Sequence, residues 1–200
     1  MKQLTTIPVV ALLCLFVFNP LHAQVDLKIG PVGLLFKDLN LGIEFGVNEN
    51  VGVEVTPGFS WGVLNFADPD DDYNGSILRI GANGRYYFNP SEKKLNGFYA
   101  GAYTRYAGGK YTFDDDASNT HEEIKSTRIA GGLLLGAKIV AGNERLIFDF
   151  GLGFGRAFVY DFEDQNDPSN NVDLSNVPFI NFDLPINLKI GYRISGGSEK

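Results

Sequence analysis

The chain has 200 residues, a length that suits one domain or one barrel. Its net charge of −7, from 17 basic and 24 acidic residues, argues against a nucleic-acid-binding protein, because such proteins present basic surfaces. The single cysteine, Cys14, lies in an apolar segment that we expect to be removed, which excludes a disulfide framework and a cysteine-ligated metal. The 24 glycines, 16 phenylalanines and 9 tyrosines are typical of strands and turns.

The first residues predict an export signal. Lys2 gives a positive start, residues 7–18 are almost wholly apolar, and residues 21–23 end on a small side chain. The apolar run is shorter than the roughly 20 residues that a membrane-spanning helix needs. We therefore expect a cleaved signal peptide over residues 1–23 and a mature domain over residues 24–200.

Beyond residue 23 there is no sustained helical period, and eight segments have strand character. The predicted strands cover residues 25–35, 40–47, 51–64, 76–88, 97–113, 126–140, 146–160 and 179–194. The short connections are residues 36–39, 48–50, 89–96 and 141–145, and the longer, polar ones are 65–75, 114–125 and 161–178. Short turns that alternate with long loops are typical of up-and-down outer-membrane barrels, whose tight turns face the periplasm.

Bulky apolar residues alternate with small or polar residues along several of these strands. The pattern is clearest over residues 51–63, 146–155 and 182–194, and it requires a sheet whose two faces meet different surroundings. A soluble lipocalin-like barrel would also alternate, with its apolar face inward. An eight-stranded barrel is only just wide enough inside to hold side chains, however, and the glycine-rich face fits there far better. We therefore predict an all-β fold, an eight-stranded antiparallel up-and-down transmembrane β-barrel whose bulky face contacts lipid.

Arg156 is the exception to this pattern, because strict alternation places its charge on the lipid-facing side. About 9–11 residues of a tilted strand cross the bilayer, so Arg156 would lie at the headgroups if the crossing ends at Gly155. A β-bulge among the neighbouring glycines would instead turn Arg156 inward. The sequence leaves both alternatives open.

The same alternation predicts which charged residues line the lumen. The predicted lumen acids are Asp26, Glu44, Glu54, Asp149 and Asp183, and the predicted lumen bases are Lys28, Arg79, Arg85, Arg105, Arg128, Lys138, Lys189 and Arg193. Because an unpaired buried charge is costly, we expect these residues to form a structural ion-pair network that plugs the barrel. The alternative is a narrow channel for small anionic solutes, for which the lumen glycines 132, 136, 151, 153 and 155 would leave room.

The long external connections are acidic. Within the first, Asp70, Asp72, Asn74 and Gly75 follow the opening spacing of a calcium loop, but the twelfth position is Gly81 instead of Glu. We therefore expect no specific metal site. The loops are expected to be solvated and to bridge loosely to lipopolysaccharide through divalent ions.

His121 is the one histidine of the predicted mature chain. Ser118 and Ser126 are near it in sequence, but a catalytic triad depends on geometry that adjacency does not provide. We expect an exposed loop histidine, no catalytic residue and no cofactor. An outer-membrane lipid-modifying enzyme is the remaining alternative, after a structural protein and a channel.

Four segments carry a family resemblance: residues 40–45 (NLGIEF), 85–90 (RYYFNP), 97–101 (GFYAG) and 187–193 (NLKIGYR). With them the chain resembles the small outer-membrane β-barrel family of Bacteroidota-type bacteria, which is broadly similar to the OmpA-transmembrane and OmpX-like barrels of the porin-like superfamily. The resemblance implies a structural or surface-interaction role and says little about activity. Many such barrels end on an aromatic residue that the assembly machinery reads, whereas this chain continues past Ile194 to Lys200.

Together these patterns predict a monomer in the bacterial outer membrane. Its expected partners are outer-membrane lipid, lipopolysaccharide and, during biogenesis, the barrel assembly machinery. Nucleic acid is not an expected partner.

Overall fold

The structure is a computed structural model that describes residues 24–62, 73–88, 95–115, 120–141 and 145–195. Its strands are β1 (Val25–Ile29), β2 (Asp38–Gly46), β3 (Val51–Trp61), β4 (Tyr73–Tyr87), β5 (Gly97–Asp115), β6 (Thr120–Ala141), β7 (Leu146–Asp164), β8 (Val172–Asp173), β9 (Phe182–Asp183) and β10 (Ile186–Ser195). Two short helical segments are α1 (Pro31–Leu35) and a 3-10 turn (Pro168–Asn170). The predicted signal peptide lies outside the described residues. None of the helices in the described ranges has the length and apolar character to cross a membrane.

Eight of the strands form a closed antiparallel ring. Strands β1 to β7 pair in chain order, and β10 pairs with both β7 and β1. The two-residue strands β8 and β9 pair with the end of β7 that is farther from the chain termini. The predicted fold class, an all-β eight-stranded antiparallel barrel, is confirmed.

The two faces of the ring differ sharply in chemistry. On β7 the outward Leu152 and Phe154 are 59% and 63% exposed, whereas the inward Asp149 is fully buried. The same division holds on β10, where Ile190 is exposed and Lys189 is buried. Because successive side chains of a strand point to opposite faces, a period of two in the sequence becomes an apolar outside and a charged inside.

The ends of two predicted strands are wrong. β1 ends at Ile29 and not at residue 35, because Pro31 lacks an N–H group and has a φ suited to the first turn of a helix, where α1 begins. At the other end of the chain, Phe179 has φ +67° and Pro185 interrupts the ladder, so the segment predicted as one strand is divided into β9 and β10.

All three of the predicted long connections differ from expectation, and the first ends earlier because β4 already begins at Tyr73. β5 and β6 remain paired up to Asp115 and Thr120, where residues 114–125 were expected to form a loop. β7 likewise continues to Asp164, although a loop was expected from residue 161. These strand extensions are rich in polar residues, so polarity alone does not mark the ends of the strands.

Arg156 lies on the outer face, so the alternative that turns it inward is wrong. A register shift between β6 and β7 does occur, between Ile129 and Ala130, but Arg156 remains paired with Gly131 before it. Its guanidinium donates hydrogen bonds of 3.4 Å to the carbonyl oxygen of Ser175 and the side-chain oxygen of Asn176. Arg156 therefore lies where the polar external segment meets the wall.

Candidate functional site in the barrel lumen

Nine charged side chains from seven strands meet in the half of the lumen nearer the chain termini, and we call them the lower network. They are Asp26 and Lys28 of β1, Glu44 of β2, Glu54 of β3, Arg85 of β4, Lys138 of β6, Asp149 of β7, and Lys189 and Arg193 of β10. Each is at most 4% exposed. The inward positions of neighbouring strands are at the same height in the barrel, so residues far apart in sequence contact one another.

Lys28 and Arg85 are at the centre of the lower network. The Nζ atom of Lys28 is 2.5 Å from Glu44 and 2.5 Å from Asp149, and 3.4 Å from Glu54. Arg85 donates to Asp149 at 2.6 Å and also donates to Glu54. Two cations thus share three carboxylates, which neutralises charges that would otherwise be costly to bury.

A second group of ion pairs fills the lumen toward the chain termini. Lys138 is 2.9 Å from Asp26 and 2.8 Å from Glu44. Arg193 donates to Asp26 at 2.8 Å, and Gln24 donates to the same carboxylate at 3.0 Å. Glu44 therefore belongs to both groups and connects them.

Tyrosines complete the lower network, and the sequence analysis missed them. Tyr87 donates from its hydroxyl to Glu44 at 2.7 Å, and Tyr99 donates to Asp149 at 2.9 Å. The guanidinium of Arg85 lies 4.6 Å from the centre of the Tyr99 ring. The alternation contains the signal, because Tyr87 shares the inward face of β4 with Arg85, but a tyrosine carries no charge that would mark it as a member of an ion-pair network.

The predicted room beside the lumen glycines is occupied. A Cβ atom added at Gly136 or Gly151 would collide with the ring or hydroxyl of Tyr99. The space beside Gly153 is filled by Pro185 and Tyr103, and Tyr103 also lies against Gly155. Aromatic or proline side chains therefore occupy the space beside these four glycines, and at Gly132 the backbone of Phe154 and Gly155 is close.

A separate group of charges, which we call the upper cluster, lies nearer the external segments. Asp183 accepts hydrogen bonds from Arg105 and, at 2.8 Å, from Tyr103, and it is 3.2 Å from Arg128. Arg79 pairs with Asp38, a partner that the sequence analysis missed. The predicted lumen charges therefore do not all meet: Arg79, Arg105, Arg128 and Asp183 form no ion pair with the lower network among the described residues.

A cavity of about 220 Å³ lies between these two groups. Its polar wall includes Asn40, Thr56, Arg79, Asn83 and Arg105. Asn83 donates a hydrogen bond to Glu54 at 2.9 Å, so it connects the cavity wall to the lower network. The side chains of Arg79 and Arg105 are 25% and 32% exposed, so the cationic part of the wall is partly accessible to solvent.

The comparisons with known proteins agree with this architecture. The profile of a family described as "Protein of unknown function (DUF3575)" matches residues 8–173. The chain belongs to this family. No curated protein matches the sequence. Among solved structures, the DUF3575 chain is similar to a major outer membrane protein from Thermus thermophilus, with 16% identity and a TM-score of 0.50, over 86% of this chain and 98% of that one. The likeness shows the barrel fold.

The other candidate sites of the DUF3575 chain have less support. His121 is part of β6, opposite Asp114 of β5, so the prediction of a loop position is wrong. Ser118 lies outside the described residues, as do residues 70–72 of the calcium-like spacing. Asn74 of that spacing lies in β4 and pairs with Thr112 of β5. Among the described residues there is no group of three or more His, Cys, Asp or Glu that could hold a metal ion.

Proposed function

We propose that this DUF3575 protein is an integral outer-membrane β-barrel with a structural or surface-interaction role and with a lumen closed by ion pairs. The observation that carries the proposal is the inversion of the usual protein interior. Leu133, Phe150 and Leu152 point away from the barrel, while Arg85 and Asp149 are buried inside it. In water this arrangement would expose the apolar surface at a cost of about 25 cal/mol per Å², and in lipid that cost is absent.

Closure of the strand ring supports the same proposal. Lipid offers no hydrogen-bond partners to backbone groups, so a sheet can cross a membrane only when its edges pair with each other. The pairing of β10 with β1 and β7 meets this requirement over the half of the barrel that holds the lower network. The predicted signal peptide would deliver the chain to the periplasm, where the barrel assembly machinery would insert it.

The lower network supports a closed lumen. Glu44, Glu54 and Asp149 have fully buried side chains, as have Lys28 and Arg85 between them. An ion would have to separate these pairs to pass. Since breaking a buried ion pair costs several kcal/mol, we propose that the network acts as a plug.

The outward face would contact lipid and lipopolysaccharide, and we propose these as the lasting partners of a monomeric barrel. A finer assignment to the OmpA-transmembrane and OmpX-like barrels belongs to the same proposal. Its support is the strand number and the up-and-down order, which the ring of eight strands shares with that type.

A narrow channel for small anions is the competing function, and the upper cluster favours it, because Arg105 and Arg128 share the single carboxylate of Asp183. Single-channel recording in planar bilayers distinguishes the two. The purified mature protein is expected to give no steady conductance. Reproducible large conductance steps would refute the plug and favour the channel.

A further inference from the structure

The cavity lies beside a break in the barrel wall. β1 has only 5 residues and pairs with β2 as far as Leu41 and with β10 as far as Ile190. Beyond this point β2 is paired only with β3, and β10 is paired only with β7. Among the described residues no strand lies between the two edges. The cavity wall includes both edges, with Asp38 and Asn40 on β2 and residues 184–187 at the start of β10 and just before it.

Helix α1 follows β1 and contacts both β2 and β10 beside this break. None of its five residues, all within the described ranges, is buried, and none lines the cavity. Val32 and Leu34 of α1 are exposed, as are Leu184 and Ile186 beside β10. The outer surface around the break is therefore apolar and continuous with the face that we assign to lipid.

The cavity and its surroundings carry an excess of positive charge. Arg79 is neutralised by Asp38, but Arg105 and Arg128 share the carboxylate of Asp183. An anion near Arg79 and Arg105 would accept charge-assisted hydrogen bonds and balance this excess. A partly buried cation without a full counter-charge is unfavourable, so the site favours an anionic ligand.

We propose that the cavity binds the anionic headgroup of a single-chain amphiphile whose hydrocarbon chain leaves the barrel between β2 and β10. A volume of about 220 Å³ holds a headgroup and a few methylene groups but not a long chain. The rest of the chain lies against Leu184, Ile186 and the outer face of α1. The inference rests on the proposed position of the barrel in the outer membrane.

Calorimetric titration of the mature protein in phosphatidylcholine nanodiscs tests this site, with empty nanodiscs as the blank. Laurate is expected to bind saturably at one site per chain. Acetate has the headgroup without the chain, and dodecyltrimethylammonium has the chain with a cation, so each is expected to bind at least about tenfold more weakly. Acetate binding as tight as laurate would overturn the path through the wall, and tight binding of the cationic amphiphile would overturn the anionic preference.

Variants of the wall make the assignment specific. The double substitution Arg79→Gln and Arg105→Gln should weaken laurate about tenfold or more, whereas Arg145→Gln, at an exposed position next to Tyr192, should leave it unchanged. If the double variant does not fold, Thr56→Leu fills the cavity instead and should also weaken binding. Wild-type affinity in a folded cavity variant would overturn the site.

Failure of this inference can be told from failure of the proposed function. The samples used for titration are also run on gels with and without boiling, because folded barrels of the outer membrane migrate differently from the unfolded chain. Absent laurate binding by a barrel that shows this shift overturns the amphiphile site alone. Absence of the shift, with recovery as a soluble protein, overturns the proposed function and the site with it.

Discussion

Lys28 contacts three carboxylates at once, and Arg85 contacts the same three. The shared carboxylates, Glu44, Glu54 and Asp149, come from three different strands, so the two cations hold distant parts of the ring together. Each charge in such a network is tolerable only while its partners are present. We therefore expect the lower network to stabilise the folded barrel, in addition to its proposed role as a plug of the lumen.

Arg85→Leu should destabilise the barrel strongly. The substitution leaves Glu54 and Asp149 with too little positive charge nearby, and removal of one partner from a buried pair costs about 3–5 kcal/mol. Urea unfolding of the protein in phospholipid bilayers measures the loss. Arg145→Leu, which removes a cation from an exposed position, should show no comparable change. Equal stability of the two variants would contradict a coupled lumen network.

Most of the charged lumen residues were predictable, because alternation assigns each strand residue to a face once one face is known. All five predicted acids and all eight predicted bases form ion pairs in the structure. Their partition into two groups was not predictable, since it depends on the relative heights of the strands. Asp38 was missed because the second strand was predicted to begin only at residue 40.

Strands β6 and β7 show how glycine and tyrosine act together at the scale of the element. Four glycines of these strands face the rings of Tyr99 and Tyr103, which project from β5: Gly136, Gly151, Gly153 and Gly155. Glycine is needed there because the rings pass close to the backbone, and not because the lumen is open. Composition alone could not separate these two explanations, since both place glycine on the inward face.

Gly136→Ala should destabilise the barrel, because the added methyl group would collide with the Tyr99 ring and with the carbonyl oxygen of Phe150. Overpacking of this kind costs about 1–3 kcal/mol. Gly84→Ala is the matched control, since a Cβ atom at Gly84 meets nothing within 4 Å. Chemical unfolding of both variants checks the difference. A destabilisation of Gly84→Ala equal to that of Gly136→Ala would contradict the close fit of the ring.

The external segment after β7 has its own local order. The carboxylate of Asp164 accepts hydrogen bonds from the backbone N–H groups of Asn166 at 2.8 Å and Asp167 at 3.1 Å. These bonds, and one from the side chain of Asn170, hold the pKa of Asp164 below its ordinary value. The turn is thus stabilised by the ionised form of a single carboxylate.

Acid should therefore loosen this turn. Because the folded pKa of Asp164 is lowered, its contribution is fully present above the unfolded value of about 3.9 and is lost as the pH falls through the folded value. Amide hydrogen exchange at Asn166 and Asp167 should become faster below that pH, after correction for the intrinsic rate. Asp164→Asn should show faster exchange already at pH 7. Exchange that is the same in both proteins at every pH would refute this role.

At the scale of the whole molecule, one sequence property decides most of the architecture. A period of two, repeated over eight segments, requires two faces, and the size of the bulky set requires that set to lie outside. What the sequence did not indicate is the unequal length of the strands. The short β1 and the 22-residue β6 belong to the same ring, so its wall is high on one side and broken beside α1.

This inequality separates the two functional regions of the lumen. The lower network lies where the ring of eight strands is complete, and the cavity lies where β1 has ended. Under the proposed function, the lower network would separate the cavity from the end of the barrel where the chain termini lie. Such a barrel would suit retention of a ligand better than passage of a solute.

Membrane fractionation combined with heat-dependent gel migration tests the central claim most directly. A closed barrel with an apolar outer face should be recovered in the outer membrane, and the sample left unboiled should migrate differently from the boiled one. Recovery as a soluble periplasmic protein, with the same migration before and after boiling, would contradict the assignment of the apolar face to lipid.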